Sequence, residues 1–421
     1  MEQKLFWANA KRTNDCFSES QRKMKKIVFI ANNNVGTGFS GGDRIFIEFL
    51  KNWKDKADLV LFGSEEAVEM AKKRGVDVKF IQTDKVNKSM PGGIFDFISH
   101  IFRRTSKGLS SIKKNREILK NADYVYSVSD FYPDFIPAFY LKLKNPKIKW
   151  IAGYYLFAPN PFSKDSPYKG KQWLRGFFYW FTQLFSHFLV KRFADYVFVT
   201  SEPDVKKFVT KKRDKSRIVV VQGGVDITES EKYLKSENVI PVKDRKYDAC
   251  FVGRFHYQKG VLELVSIWKK VCEKRKDSKL AMVGNGPLER EVRKKIKDFG
   301  LEKNIDLLGF KDGQEKYEVF KQSKIILHPA TYDSGGMAAA EGMAWGLPGV
   351  SFDLESLKTY YPKGIVKTPK GDENKFAENI LKLLSDKDLY KEKSREARDL
   401  IVSVWDWKKR AAEILSKVFE I

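Results

Sequence analysis

Two carboxylates on either side of a glycine-rich turn are the residues best placed to do chemistry. Asp333 lies in the turn Tyr-Asp-Ser-Gly-Gly, and Glu341 follows about two helical turns later. A carboxylate repels phosphate, but it accepts hydrogen bonds from the hydroxyl groups of a sugar or a ribose. The pair therefore indicates a ligand that carries sugar hydroxyls.

A strand and a helix position this acid pair. The apolar run Ile325 to Leu327 predicts a buried parallel strand, and residues 337–345 predict a helix that ends at Gly346 and Pro348. The first turn of a helix has unpaired N–H groups and a partial positive charge, which attract phosphate. This combination is typical of a nucleotide-sugar site; the alternative is an ordinary sheet turn followed by a solvated Glu341.

Two cations follow a strand earlier in the chain. Residues 247–252 predict a strand, and the next turn carries Arg254 and Lys259 before a helix that begins at Val261. Arginine offers a planar fork for phosphate oxygens and lysine a compact charge, so a diphosphate is the expected ligand. Two unrelated surface cations are the alternative. His256 is either a ligand contact or an exposed imidazole.

Two further glycine turns follow predicted strands. Ile27 to Ala31 leads into a loop that contains Gly41 and Gly42, and Gly284 and Gly286 follow a strand in the second half. The first loop does not have the spacing of the dinucleotide-binding motif, which excludes that reading. Its glycines are expected to let the backbone approach a ligand closely.

Predicted strands alternate with helices along the whole chain, which indicates an α/β fold with parallel sheets. At 421 residues the chain is too long for one core, so two domains are expected. The expected divisions are an N-terminal extension (1–23), a Rossmann-like domain (24–225), a linker (226–246), a second Rossmann-like domain (247–403) and a helix that packs back towards the first domain (404–421).

Ligands of parallel sheets bind at the carboxyl ends of the strands. In the first domain these ends carry Asp130, Tyr154 and Tyr155, which are expected on the acceptor side of the site.

An aromatic-rich segment, residues 171–192, separates two of these strands. Its apolar residues recur at helical spacing, but polar residues interrupt them and basic residues flank them, which argues against a membrane span. The segment predicts either a core helix of the first domain or an amphipathic helix that lies on an anionic membrane surface.

The formal charge of +25 implies a polyanionic partner: nucleic acid, an anionic membrane or a phosphorylated small molecule. Nucleic acid is disfavoured because the basic and aromatic residues do not form a recognised binding signature. The three cysteines fit neither a disulfide framework nor a zinc site, and no carboxylate cluster suggests a metal. The first residues lack the apolar core of a signal peptide, so we expect a cytoplasmic protein, free or on the inner face of the plasma membrane.

Four segments of the chain resemble, in the same order, the retaining GT-B glycosyltransferases, specifically glycosyltransferase family 4. They read VVVQGGVDI, FVGRFHYQKG, MVGNGPLEREV and HPATYDSGGMAAAEGMAWGLPGV. The resemblance implies two Rossmann-like domains that face each other across a cleft. It also implies transfer of a sugar from a nucleotide-diphosphate donor, UDP- or GDP-linked, with retention of anomeric configuration. Arg254 and Lys259 can stabilise the leaving diphosphate, so we expect no metal, and the positive charge with the aromatic segment 171–192 favours a lipid-linked or cell-surface glycan as the acceptor.

The same resemblance suggests a role for each matched residue. The expected catalytic residues are Asp333, Arg254 and Lys259. Arg254 and Lys259 match the cations that hold the donor diphosphate. Glu341 matches the acid that binds the ribose, and Asp333 the acid that contacts the donor sugar. The other residues expected to contact the donor are Gly41, Gly42, Gly253, His256, Gly284, Gly286, Ser334, Gly335, Gly336 and Met337.

Three positions depart from the family pattern. Asp333 stands where the family usually has Glu, no His stands near Tyr154 and Tyr155, where one is common, and Gly223 stands where the family has Asn. A basic nucleic-acid-binding protein without catalysis and a nucleotide-sugar epimerase on the same frame remain the alternative functions.

Overall fold

The computed structural model describes residues 24–34, 40–85, 93–164, 166–221, 223–333 and 335–419. The predicted N-terminal extension and Ser334 lie outside these residues. Within them the chain forms two all-parallel sheets of seven and six strands, with helices between consecutive strands. This confirms the predicted α/β fold of two Rossmann-like domains.

The first sheet has the strand order β3-β2-β1-β4-β5-β6-β7. Its strands are β1 (Lys26–Ala31), β2 (Asp58–Gly63), β3 (Lys79–Gln82), β4 (Tyr124–Ser127), β5 (Lys149–Gly153), β6 (Tyr196–Val199) and β7 (Ile218–Val220). The helices of this half are α1 (Gly41–Trp53), α2 (Glu65–Lys73), α3 (Ile94–Lys114), α4 (Arg116–Leu119), α5 (Tyr132–Lys144), α6 (Trp173–Phe193) and α7 (Glu202–Phe208).

The second sheet has the order β10-β9-β8-β11-β12-β13. Its strands are β8 (Tyr247–Val252), β9 (Leu280–Val283), β10 (Ile305–Leu307), β11 (Ser323–His328), β12 (Gly349–Phe352) and β13 (Ile365–Thr368). The helices are α8 (Thr228–Leu234), α9 (Val261–Lys274), α10 (Glu289–Asp298), α11 (Gln314–Lys321), α12 (Met337–Ala344), α13 (Glu355–Lys358), α14 (Glu373–Ser385), α15 (Lys387–Val404) and α16 (Trp407–Phe419). Because β8 and β11 are neighbours, the turns that follow them lie side by side.

The segment predicted as a linker is more ordered than its sequence suggested. It contains α8, whose Tyr233 ring packs on Trp345 of the second domain, and Arg398 pairs with Glu231 at 3.2 Å. A helix of seven residues is too short to produce a clear periodic signal, which is why the sequence shows none.

The end of the chain returns to the first domain. Trp405 is buried against Tyr361 of the second domain, whereas α16 packs against α1, where Trp53 Nε1 donates to the carbonyl of Ala411 at 2.8 Å. Phe419 contacts the Trp53 ring from the same helix. The two domains are therefore connected both by residues 221–246 and by the passage from α15 to α16.

We expect Leu415→Ala in α16 to lower the free energy of unfolding by about 2–5 kcal/mol, because the fully packed Leu415 side chain would leave a cavity in the first-domain core. Lys417→Ala on the exposed side of the same helix is the control and should change stability by less than about 0.5 kcal/mol. Denaturant unfolding measures both values. Equal stabilities of the two variants would contradict the packing of α16.

Candidate active site

The turns after β8 and β11 are joined by their backbones. Gly260 has a φ of +63°, and a Cβ at this position would clash with the carbonyl of Pro329. The amide of Thr331 donates to the carbonyl of Gln258 at 3.0 Å. This close approach, which requires a glycine, brings Lys259 to the loop that carries Asp333.

Lys259 and Asp333 form a half-buried ion pair, with Nζ 2.5 Å from Oδ2. Nε2 of His328, the last residue of β11, lies 3.2 Å from the same oxygen. Burial opposes ionisation of Asp333, but Lys259 and His328 outweigh it and hold the pKa of the carboxyl well below its usual range. The structure thus brings together Lys259 and Asp333, two of the three residues predicted to be catalytic, and adds His328.

The other oxygen of Asp333 faces the start of α12. Its Oδ1 accepts from the amides of Gly335 and Gly336 at 3.3 and 3.4 Å. Gly336 adopts a left-handed conformation with φ of +58°, which suits glycine. These two amides precede the first helical residue, Met337, so the carboxylate of Asp333 binds the loop N–H groups before α12 and not those of its first turn.

Arg254 is exposed and makes no ion pair or hydrogen bond with any other residue that the structure describes. His256, on the same turn, contacts the Tyr168 ring of the first domain at 5.9 Å between centroids. Burial, together with the charges of Arg254 and Lys259, lowers the pKa of His256 to about 4, so its imidazole is neutral at pH 7. The guanidinium of Arg254 is thus available to an anion at the mouth of the cleft.

The glycines after β8 and β9 fix the turn that carries Arg254. A Cβ on Gly284 would clash with the carbonyl of Gly253, and one on Gly286 would lie 2.5 Å from the carbonyl oxygen of Phe255. Gly253 itself packs on the ring of Phe251. Gly253, Gly284 and Gly286, which were predicted to contact the donor, allow the turns after β8 and β9 to pack against each other.

Glu341 is held from both domains. Arg44 of α1 donates to its Oε1, and Lys316 of α11 lies 3.1 Å from its Oε2. Burial opposes ionisation here too, but Arg44 and Lys316 outweigh it and keep the pKa of Glu341 low. Lys316 also reaches Asp312 at 3.1 Å, and Asp312 pairs with Arg74 of the first domain at 3.2 Å. A continuous chain of charges therefore crosses the cleft.

Met337 fills the space beside the first-domain glycine loop. A Cβ on Gly41 would overlap the end of the Met337 side chain, and one on Gly223 would overlap its sulfur. Gly42 lies against the Tyr155 ring, at 3.4 Å from a Cβ built on the glycine. In this structure the glycines accommodate side chains from across the cleft and from the neighbouring strand end.

Asp130 lies beneath α6, where Gln183 Nε2 donates to its Oδ2 at 2.9 Å. Burial, opposed by this hydrogen bond, raises the pKa of Asp130 to about 6. Asp134 is buried nearby and accepts from the amides of Asn32 and Asn33, and burial raises its pKa to about 7.

The placement of Tyr154 must be corrected. Its side chain is 1% exposed and its ring packs on Phe157 and Phe208 in the first-domain core, so it does not reach the cleft. The strand end that carries Tyr154 lies in a hydrophobic environment between α6 and α7, which explains why its side chain is buried and not exposed to the cleft. Tyr155, the next residue, points the opposite way and lies beside Gly42.

Three residues that complete the site, His328, Arg44 and Lys316, were not predicted from the sequence. His328 stands inside one of the motifs and directly before a turn, so its position was a usable signal. Arg44 directly follows the first glycine loop but contacts a residue 297 positions away, and nothing in α11 marks Lys316. Among the described residues, no group of three or more His, Cys, Asp or Glu side chains gathers in the manner of a metal site.

We expect Asp130→Asn to remove a pH dependence of stability. Because the folded-state pKa of Asp130, about 6, exceeds the ordinary value of 3.8, protonation of this carboxyl stabilises the folded state. The stabilisation is fully present below about pH 4 and is lost as the pH rises through 6. The free energy of unfolding of the variant minus that of the wild type should therefore increase by about 3 kcal/mol between pH 4 and pH 8.

Denaturant unfolding at the two pH values measures this difference, and the contribution of Asp134, which both proteins share, cancels. Asp55→Asn on the exposed surface is the control. A difference that does not change with pH would show that Asp130 ionises as freely as it does in water.

The chain was compared with known proteins. Residues 233–400 match the family model described as glycosyl transferases group 1. Two uncharacterised glycosyltransferases of Methanocaldococcus jannaschii are 28% and 26% identical, over 37% and 55% of this chain and 40% and 60% of their own. The chain thus spans less than two thirds of the length of these relatives.

A crystal structure of HepE from Anabaena in complex with UDP and glucose superimposes with a TM-score of 0.65 and 15% identity, over 95% of this chain and all of HepE. A likeness at this identity establishes the fold. The chain therefore has the GT-B arrangement of two Rossmann-like domains, and its second half is similar to the glycosyl transferases group 1.

Proposed function

We propose that this protein transfers a sugar from a nucleotide-diphosphate donor to an acceptor, with retention of anomeric configuration. The observation that carries the proposal is the convergence of Lys259, Asp333 and His328 at adjacent strand ends, with Arg254 on the same turn as Lys259. The bound UDP and glucose of HepE support a ligand of this kind. The resemblance to glycosyltransferase family 4 supports retention.

The two cations, Arg254 and Lys259, can stabilise the leaving nucleoside diphosphate. When the bond between the sugar and the diphosphate breaks, negative charge grows on the β-phosphate, and cations that face it lower the barrier. Arg254 supplies a planar fork at the mouth of the cleft, and Lys259 has three N–H donors, of which Asp333 needs only one. Lys259 can therefore bind the carboxylate and a phosphate oxygen together, and the reaction needs no metal.

Asp333 suits recognition better than covalent attack. Its two oxygens are directed at Lys259, His328 and two backbone amides, and its low pKa keeps it ionised. An ionised carboxylate accepts hydrogen bonds from sugar hydroxyls, and the amides that reach Oδ1 at 3.3 and 3.4 Å make long contacts with which a hydroxyl can compete. We accordingly assign it to the donor sugar and assign Glu341 to the ribose.

The acceptor that we propose is a lipid-linked or cell-surface glycan, reached in the cytoplasm or on the inner face of the plasma membrane. Asp130 and Tyr155 belong to the domain that would receive it, Tyr155 beside Gly42 and Asp130 beneath α6. The donor is UDP- or GDP-linked.

Arg254→Ala is the direct test of the diphosphate assignment. Because Arg254 has no partner among the described residues, its removal should leave stability unchanged while turnover falls at least about 100-fold. The donor is first found by thermal shift with UDP-glucose, UDP-N-acetylglucosamine and GDP-mannose, because a bound donor stabilises the fold. Release of the nucleoside diphosphate then measures turnover, with exposed Arg290→Ala as the matched control.

Near-normal turnover of Arg254→Ala would remove the diphosphate assignment. Conversion of one nucleotide sugar into another without an acceptor would instead identify an epimerase. Salt-sensitive RNA binding with no effect of any nucleotide sugar would favour a nucleic-acid-binding protein.

The two acids can be separated by their ligands. We expect Glu341→Gln to weaken binding of the free nucleoside diphosphate about tenfold or more, because a ribose hydroxyl loses a charged acceptor. Asp333→Asn should weaken binding of the nucleotide sugar more than binding of the nucleoside diphosphate, which has no donor sugar but still meets Lys259. Calorimetric titration of both variants with both ligands measures this, and equal losses in all four titrations would contradict the assignment.

A further inference from the structure

Helix α6 presents its apolar side to solvent. Trp173, Phe177, Phe181, Leu184 and Phe188 recur every three or four residues, which places them on one face. Of these, Phe181 is 60% exposed, Leu184 50% and Phe188 64%. We call these five residues the aromatic face. The aromatic rings of Trp173, Phe177 and Phe181 stack on one another along it.

The opposite side of α6, which faces the protein, consists mainly of small or polar residues and of Tyr179, whose ring stacks on Phe131 and whose hydroxyl donates to the carbonyl of Leu156. Gly176, Gln183 and Ser186 are buried there, and a Cβ on Gly176 would overlap the ring of Tyr168. Only Leu189 and Val190, at the end of the helix, are buried aliphatic residues. A core helix has the reverse arrangement, so the core-helix alternative fits only the last turn of α6.

Neighbouring segments extend the aromatic face. The ring of Phe162, 65% exposed, contacts Trp173, Phe177 and Trp180. On α3, which is joined to α6 by the contact of Phe97 with Phe178, two more exposed aromatics, Phe95 and Phe102, lie seven residues apart on one side of the helix. Apolar surface on this scale marks an interaction site.

The charges around the aromatic face are almost all positive. Residues 161–193 contain six Lys or Arg and a single acidic residue, and α6 itself contains no Asp or Glu. Lys164 and Lys169 precede the helix, and Lys191 and Arg192 end it, all of them exposed. A second copy of the chain would bring the same cations against one another, whereas an anionic surface complements them.

We infer that the aromatic face of α6 docks in the headgroup region of an anionic lipid bilayer, with the helix lying parallel to the membrane. Tryptophan and phenylalanine side chains flanked by lysine and arginine are suited to that region. At 21 residues the helix is about 30 Å long, enough to lay its whole aromatic face on the bilayer. No described helix is long and apolar enough to cross a membrane.

This docking concerns a surface outside the candidate active site and stands whether or not the protein is a transferase. If the proposed function also holds, the acceptor is delivered from the same bilayer to the first domain, because Asp130 lies directly beneath α6.

Flotation of the full chain with vesicles tests the inference. We expect binding to vesicles of equimolar phosphatidylglycerol and phosphatidylcholine, weaker binding at high salt, and little binding to phosphatidylcholine alone. The double variant Phe181→Ser/Phe188→Ser should lose at least tenfold in binding to the anionic vesicles. Phe310→Ser, which changes an equally exposed aromatic residue of the second domain, should bind like the wild type.

Unchanged binding of the double variant, or no binding of the wild type, would overturn the inference. Sedimentation velocity provides a further check, since a dimer that the double variant abolishes would assign the face to a second copy instead. Thermal shift with the nucleotide sugars should be the same in wild type and double variant. That measurement separates failure of the docking surface from failure of the proposed transfer.

Discussion

The site depends on one half-buried ion pair, Lys259 with Asp333. A carboxylate largely removed from water needs several favourable contacts, and Asp333 has them: Lys259, His328 Nε2 at 3.2 Å, and the amides of Gly335 and Gly336. Because Lys259 follows β8 and Asp333 follows β11, the pair adds a side-chain contact to the backbone contacts that already join these two turns. An ammonium group is thereby held at one position between two strand ends, ready for an anion without reorganisation.

Glu341 connects this part of the second domain to the first domain. It stands on the helix that Asp333 helps to begin, and its partner Arg44 follows the glycine loop of the first domain. A ligand that binds Glu341 therefore meets a carboxylate whose position already depends on how the two domains face each other. The pairing of Asp312 with Arg74 adds a second charged contact across the same cleft, at 3.2 Å.

The fold and much of the site could be predicted because strands, glycine turns and short motifs are local features of a sequence. Lys259 and Asp333 each occupy a strand end, and neighbouring strand ends of a parallel sheet must meet. The partners of Glu341 could not be predicted, because domain docking brings Arg44 to it and leaves no periodic signal. The prediction that Tyr154 lies in the site was wrong for a related reason. Successive side chains of a strand point to opposite faces, so only one of the two tyrosines faces the core, but the sequence here has no alternation of apolar and polar residues to show which one.

Helix α6 turns its polar side to the protein and its apolar side to solvent, and the contacts of the polar side explain this orientation. Gln183 donates to the carbonyl of Leu156 at 2.8 Å and accepts from the amide of Ala158 at 2.6 Å, so the polar side of the helix holds the loop between these residues. The carbonyl of Phe157 in that loop accepts from Tyr332 at 2.6 Å, and Tyr332 directly precedes Asp333. A helix that must use its polar residues to support this loop has only its aromatic residues left for the outside. The same bonds join the proposed membrane surface, through Phe157 and Tyr332, to the loop that carries Asp333.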